Sequence, residues 1–203
     1  QAPRLKPEQA FEIAVGAILT QNTAWTNVEK ALIQLHQKDL LSPRRLILIS
    51  RERLKRAIRP SGYFSQKAKK LKILARFARD EAGCDLLSLK NQPSDSLRRR
   101  LLELWGVGPE TADSILLYAL GKPVFVVDAY TRRIGERLGW PLGNKSYDEI
   151  RWFFEQNLTP EPLLYQEFHA LFIKLAKENC AKLRPLCQNC PLWRRCAFGR
   201  ERS

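Results

Sequence analysis

The stretch that decides the fold is LLELWGVGPETADSILLYALGKPVFVVDAYTRR, residues 101–133. Residues 96–105 read as a helix with Leu97, Leu101, Leu102, Leu104 and Trp105 on one apolar face. Gly106-Val107-Gly108 reads as a tight turn. Pro109 suits the first position of the next helix, where its fixed φ helps and its missing N–H costs nothing. That helix runs to Leu120 and buries Ala112, Ile115, Leu116, Ala119 and Leu120. Gly121 ends it and Pro123 keeps it from continuing. Residues 123–127 then form an extended apolar segment, and Asp128 opens a further helix over Ala129–Leu138.

A Gly-X-Gly turn that opens onto a helix presents backbone N–H groups at the positive end of the helix dipole, where an anion can sit. In a basic protein the natural anion is a DNA phosphate. An ordinary corner between helices is the plainer alternative. Asp128 likewise has two readings: a simple N-cap, or a carboxylate fixed for chemistry.

Of the 203 residues, 35 are Lys or Arg and 21 are Asp or Glu, a formal net charge of +14. That excess argues for a polyanionic partner, nucleic acid above all, rather than mere solubility. No apolar run reaches the length of a membrane span and no charged-then-apolar leader pattern opens the chain, so no membrane contact is expected. A cytoplasmic, nucleoid-associated monomer is the expectation.

Along the chain, apolar residues recur at helical spacing over residues 7–20, 25–35, 51–58 and 66–80, over Tyr147–Asn157, and over residues 162–179. Short Pro and Gly turns separate these pieces, and no alternating pattern exceeds residues 124–127. The reading is all-α. In residues 66–80, Ala68, Leu71, Leu74, Ala75 and Ala78 face inward, and Lys67, Lys69, Lys70 and Lys72 are expected as an exposed basic edge.

Five cysteines fall unevenly: Cys84 alone, then Cys180, Cys187, Cys190 and Cys196 within seventeen residues. With no secretory pattern, a metal centre is favoured over disulfides. Structural zinc usually takes two separated short-spaced pairs, and only one occurs here. An iron–sulfur cluster, which needs four soft ligands wrapped around one cube, fits the six-, two- and five-residue gaps better.

The motifs LWGVGPETA and VVDAYTRR resemble those of the helix–hairpin–helix DNA glycosylases, the superfamily of endonuclease III and the adenine and alkylbase glycosylases. The cysteine spacing resembles the cluster signature of the endonuclease III group at the same C-terminal position. The resemblance implies a two-lobed all-α fold. A helical barrel-like lobe of residues 12–122 carries the hairpin. Residues 1–11 and 123–203 form the second lobe, which holds a 4Fe-4S cluster on Cys180, Cys187, Cys190 and Cys196, and the active-site cleft lies between the lobes. It also implies that Gly106, Val107 and Gly108 grip DNA backbone and that Asp128 is the catalytic carboxylate.

Bifunctional members of that superfamily use a lysine in the second hairpin helix to form a Schiff base with the sugar. The matching position here is Glu110, which cannot do so, and this implies a monofunctional enzyme whose nucleophile is water. The GPETAD run, AILTQNTAWTNVEKAL and IRPSGYFSQKAKKL look closer to the small 3-methyladenine glycosylase branch, which implies an alkylated purine as substrate. Glu110 is a possible neighbour of the catalytic site or simply an acidic residue suited to a first helical turn. Gln21 matches the residue that fills the gap left by a flipped base and Tyr63 the residue that intercalates opposite, with a turn-capping amide and a core aromatic as the plainer readings. Trp25 is a candidate for stacking in the base pocket, and Lys182 and Arg184 for phosphate contact beside the cluster. His169 is expected to touch phosphate or to pack. The partner implied is double-stranded DNA with a damaged base or abasic site. The rivals are an endonuclease III-like glycosylase and lyase on oxidised pyrimidines, and a DNA-structure-binding protein that has lost catalysis.

Overall fold

A computed structural model describes residues 5–201. Helices α1 (Pro7–Leu19), α2 (Trp25–Gln37), α3 (Pro43–Leu48), α4 (Arg51–Ala57), α5 (Phe64–Ala82), α6 (Ser94–Leu102) and α7 (Pro109–Ser114) precede α8 (Ala129–Leu138), α9 (Tyr147–Asn157), α10 (Pro162–Glu178) and the short α11 (Ala197–Arg200). No strand occurs among the described residues, so the fold is all-α as the periodicity predicts. No described helix is long and apolar enough to cross a membrane. The chain forms two compact units that meet in sequence between Lys122 and Pro123.

In the first unit, α1 is the central element because its apolar residues leave it little exposed face. Phe11, Ala14, Val15, Ile18 and Leu19 are all buried, and α1 packs against α2, α5, α7 and the turn that follows α7. Residues 1–11 were expected in the second lobe. Instead Pro7 begins α1, and Ala10 and Phe11 are buried within the first unit; residues 1–4 of that expectation lie outside the described residues. The apolar stripe that makes residues 7–20 a helix is continuous, so it cannot be divided between two cores.

Two further expectations are corrected. The exposed basic edge of α5 does not exist as such: Lys67 is buried, Lys70 and Lys72 are half-buried, and of the four only Lys69 is exposed. Its ammonium lies 4.0 Å from the centroid of the Trp105 ring, which is itself half-exposed rather than part of an apolar helix face. The helix after the hairpin is also not uniform. α7 gives way at Ile115 to a wider π-type turn through Ala119 before Gly121 reverses the chain at φ 62°.

Helices α6 and α7, the two arms of the hairpin, are clamped by one ion pair. Arg98 donates through Nε to Asp113 Oδ1 at 2.7 Å and through Nη2 to Oδ2 at 3.2 Å, with the carboxylate fully buried. The two parallel bonds fix the rotation of one arm against the other.

In the second unit, residues 124–127 lie extended and buried with no sheet partner. Side chains of α9 take over that duty: Phe125 N donates to Glu155 Oε1 at 3.0 Å and Val127 N to the Tyr147 hydroxyl at 3.3 Å. Phe125 stacks on Phe154 at 4.2 Å and meets Tyr165 edge-on at 5.4 Å. Burial of one such ring stabilises by roughly 1.5–3 kcal/mol. The segment is therefore a rigid lead-in to Asp128.

Replacing Asp113 with alanine leaves the Arg98 guanidinium largely buried without its carboxylate. The expected cost is about 3–5 kcal/mol, read as a lowered urea midpoint with an unchanged slope.

Candidate functional site

The hairpin owes its shape to Gly106. Its φ of +83° suits glycine, and an added Cβ would stand 2.4 Å from Lys70 Cε, so the lysine stem occupies the space a side chain would need. Gly108 is different. Its φ of −94° is open to any residue and an added Cβ would meet nothing within 4 Å. It is the N-cap of α7, its carbonyl accepting from Ala112 N at 2.9 Å, and the space beside its Cα is open. Val107 between them is buried and anchors the turn.

Gln21 belongs to this hairpin. Its Nε2 donates to Gly106 O at 3.0 Å and to Thr111 Oγ1 at 2.8 Å, while its Oε1 accepts from Lys70 Nζ at 2.5 Å. Burial lowers the affinity of the Lys70 amine for its proton. Tyr63 is two-thirds exposed at the tip of its turn, in a left-handed conformation with φ 43°. For a non-glycine residue that is a strained position, kept because α5 starts immediately after it. Trp25 is half-exposed at the start of α2, and its indole N–H donates to Glu29 Oε1 at 2.8 Å. Glu110 is exposed in the first turn of α7, and Ser114 Oγ donates to its carbonyl at 2.7 Å. The first unit thus gathers Gln21 and the hairpin into one network, with Tyr63 and Trp25 on exposed neighbouring elements.

In the second unit Asp128 is the N-cap of α8: its Oδ1 accepts from Thr131 N at 2.6 Å. Its other oxygen, Oδ2, lies 3.3 Å from His169 Nε2, on α10. Burial pushes the Asp128 carboxyl upward, but the facing His169 ring and the Thr131 bonds outweigh it and hold the group below its ordinary value. The carboxylate stays ionised while being largely buried. His169 neither touches an exposed surface nor merely packs; it is the group across from Asp128, forty-one residues away in sequence. No local spacing announces such a pair.

Cys180, Cys187, Cys190 and Cys196 line one cavity together with Arg137, Asn179, Trp193 and Phe198. Burial pushes the Cys190 thiol up, and the proximity of Cys180, Cys196 and Cys187 adds to it. Arg137 is the residue sequence reasoning missed. Its Nη1 donates to Cys180 Sγ at 3.2 Å and to Ala181 O at 2.8 Å, and its Nη2 to Lys182 O at 2.9 Å. Cys196 Sγ in turn lies 3.1 Å from Arg137 O. Among the described residues no three His, Cys, Asp or Glu side chains converge tightly enough for a metal ion. Four thiols around a shared cavity, with a guanidinium against one of them, suit a larger and anionic group. The region is compatible with an iron–sulfur loop. Lys182 and Arg184 are exposed on it.

These arrangements define a helix–hairpin–helix protein with a buried, ionised carboxylate at a helix start. Residues 15–160 match the profile of the HhH-GPD superfamily base excision DNA repair proteins, and the chain belongs to that family. A protein of Methanocaldococcus jannaschii named as a candidate DNA repair glycosylase is 45% identical over 91% of this chain and 84% of its own length. Among solved structures, a non-covalent endonuclease III–DNA complex superposes with a TM-score of 0.81 at 26% identity, covering 95% of this chain and 85% of that one. The H. pylori 3-methyladenine DNA glycosylase bound to 1,N6-ethenoadenine superposes with a TM-score of 0.73 at 31% identity, covering 83% and 85%. The chain is a DNA glycosylase of base excision repair, and the fold is one that binds DNA.

A folded carboxyl value below the unfolded one means that Asp128 contributes stability fully above the unfolded value and loses it as pH falls through the depressed one. His169→Phe removes the leading favourable partner, so Asp128 is expected to titrate at higher pH and that acid-range contribution to shrink. A carbon NMR titration of the Asp128 carboxyl reads this directly, and an unmoved midpoint would show that the pair is not coupled.

Proposed function

We propose that the protein is a monofunctional DNA N-glycosylase that excises an alkylated purine from duplex DNA and leaves the abasic strand intact. The observation that carries this reading is Glu110: the hairpin position at which the resemblance calls for a sugar-attacking amine holds a carboxylate. The likeness to the H. pylori 3-methyladenine glycosylase supports the substrate class.

Breaking an N-glycosidic bond in duplex DNA requires the base to leave the stack, and the sugar gains positive charge as the base departs. Asp128 supplies the opposing charge. Its carboxylate is fixed by Thr131 N and His169, so it needs no reorganisation as the transition state forms. Its depressed proton affinity keeps it charged and lets it orient a water rather than donate a proton. Alkylated purines suit such a site because a cationic base leaves with little acid assistance. Gly106, Val107 and Gly108 hold backbone phosphate through N–H groups, Gln21 fills the gap left by the flipped base, and Tyr63 intercalates on the opposite strand. Trp25 stacks on the base.

Cys180, Cys187, Cys190 and Cys196 would hold a 4Fe-4S cluster, which when bound braces the loop and takes no part in bond breaking. Lys182 and Arg184 on that loop reach phosphate, and Arg137 offsets thiolate charge.

Asp128→Asn is expected to lower single-turnover excision of 3-methyladenine at least a hundredfold while changing duplex affinity little. Borohydride added during turnover is expected to trap no protein–DNA adduct. A trapped adduct would overturn the monofunctional reading, and equal loss of excision and affinity would overturn the role of Asp128.

A further inference from the structure

Lys67 sits on the apolar stripe of α5 with Leu71, Leu74 and Ala78, yet its ammonium is not stranded there. Its side chain is 1% exposed, and Nζ donates to Leu19 O at 2.8 Å, to Thr23 Oγ1 at 2.6 Å and to Ser61 O at 2.6 Å. All three protons of the ammonium are used. The acceptors come from two separate places in the chain: the end of α1 with the turn that follows, which bears Gln21, and the turn before α5, which bears Tyr63. Thr23 Oγ1 closes the set by donating to Ser61 O at 2.5 Å.

We infer that Lys67 is a positioning residue that locks the Gln21 turn to the Tyr63 turn, so that both side chains meet the duplex as one preorganised pair. The inference rests on the reading of those two residues as the ones that enter the helix. Its energetic logic is that a buried amine with three good acceptors fixes backbone at both turns before DNA arrives. The ordering cost is then not charged to lesion binding. The groups facing Lys67 from the α1–α2 turn and from residues 59–61 are carbonyls and a hydroxyl, and its charged neighbour is Lys70 on its own helix. Burial, with Lys70 adding to it, lowers the Lys67 amine to about 8. A neutral amine has only two protons for three acceptors, so the lock loosens as pH rises through that value.

The test is the ratio of affinities for a duplex holding a tetrahydrofuran abasic analogue and for the same duplex undamaged. Lys67→Met is expected to lower that ratio roughly tenfold, the scale of ordering side chains and loops on binding, with undamaged-duplex affinity unchanged. Should Lys67→Met fail to melt cooperatively, Thr23→Val, which breaks one arm of the lock, replaces it and is expected to lower the ratio in the same direction. For the wild type the ratio is expected to decline between pH 7 and pH 9. A folded variant with an undiminished ratio, a uniform loss on both duplexes, or a flat wild-type profile would each overturn the inference. Gln21→Ala and Tyr63→Ala run alongside. If neither lowers the ratio, the reading of those residues fails; if both do and Lys67→Met does not, the lock alone fails.

Discussion

The turn at Gly106 is the constraint on which the first unit depends. A left-handed backbone there throws the chain back on itself, and the missing side chain leaves room for the Lys70 stem. Lys70 then reaches Gln21, and Gln21 returns two bonds to the hairpin. Beneath this, Arg98 and Asp113 hold the two arms at one rotation. The turn is thereby tied to two other parts of the chain, α5 through Lys70 and the α1–α2 turn through Gln21. Polar groups carry most of those ties, and directional bonds fix angles in a way apolar packing does not. Gly108 caps α7, its carbonyl accepting from Ala112 N at 2.9 Å, and no side chain crowds it.

The second unit solves a different problem, that of holding a carboxylate charged while burying most of it. The extended residues 124–127 deliver Asp128 in a fixed place because Phe125 stacks on Phe154 and α9 side chains accept from the N–H groups of Phe125 and Val127. The N-cap geometry that makes Asp128 look like an ordinary helix start is also what supplies one of its stabilising bonds. Cap and charged group are therefore one arrangement rather than alternatives. His169 supplies the other partner, and the helix that carries it ends beside Cys180, the first of the four clustered thiols.

Much of this was legible in the sequence because it depends on local spacing. Helices α8 and α9 fall on the predicted residues, since a capping residue, an apolar period and a terminating glycine or loop coincide at each. Pro109 and Gly121 mark the hairpin limits for the same reason. What could not be read depends on contacts between distant residues. Lys67 looks like one of four lysines on a solvated edge until its acceptors from residues 19, 23 and 61 are brought to it. Its place on the apolar stripe was the available signal. His169 and Arg137 have no such signal, because their partners lie more than forty residues away. The assignment of residues 7–11 to the second lobe went astray on a resemblance, where the unbroken apolar face of α1 argued otherwise.

We propose that the hairpin grips DNA through backbone that glycine leaves accessible. The direct measurement is duplex affinity of Gly108→Ala against the wild type, on damaged and undamaged DNA across a range of salt. Nothing in the fold resists that methyl group, so the melting temperature is expected to stay within a few degrees of the wild type. Affinity is expected to fall alike for both duplexes at every salt concentration, with the salt slope unchanged because no cation is removed. Unchanged affinity, or a loss confined to the damaged duplex, would contradict the claim.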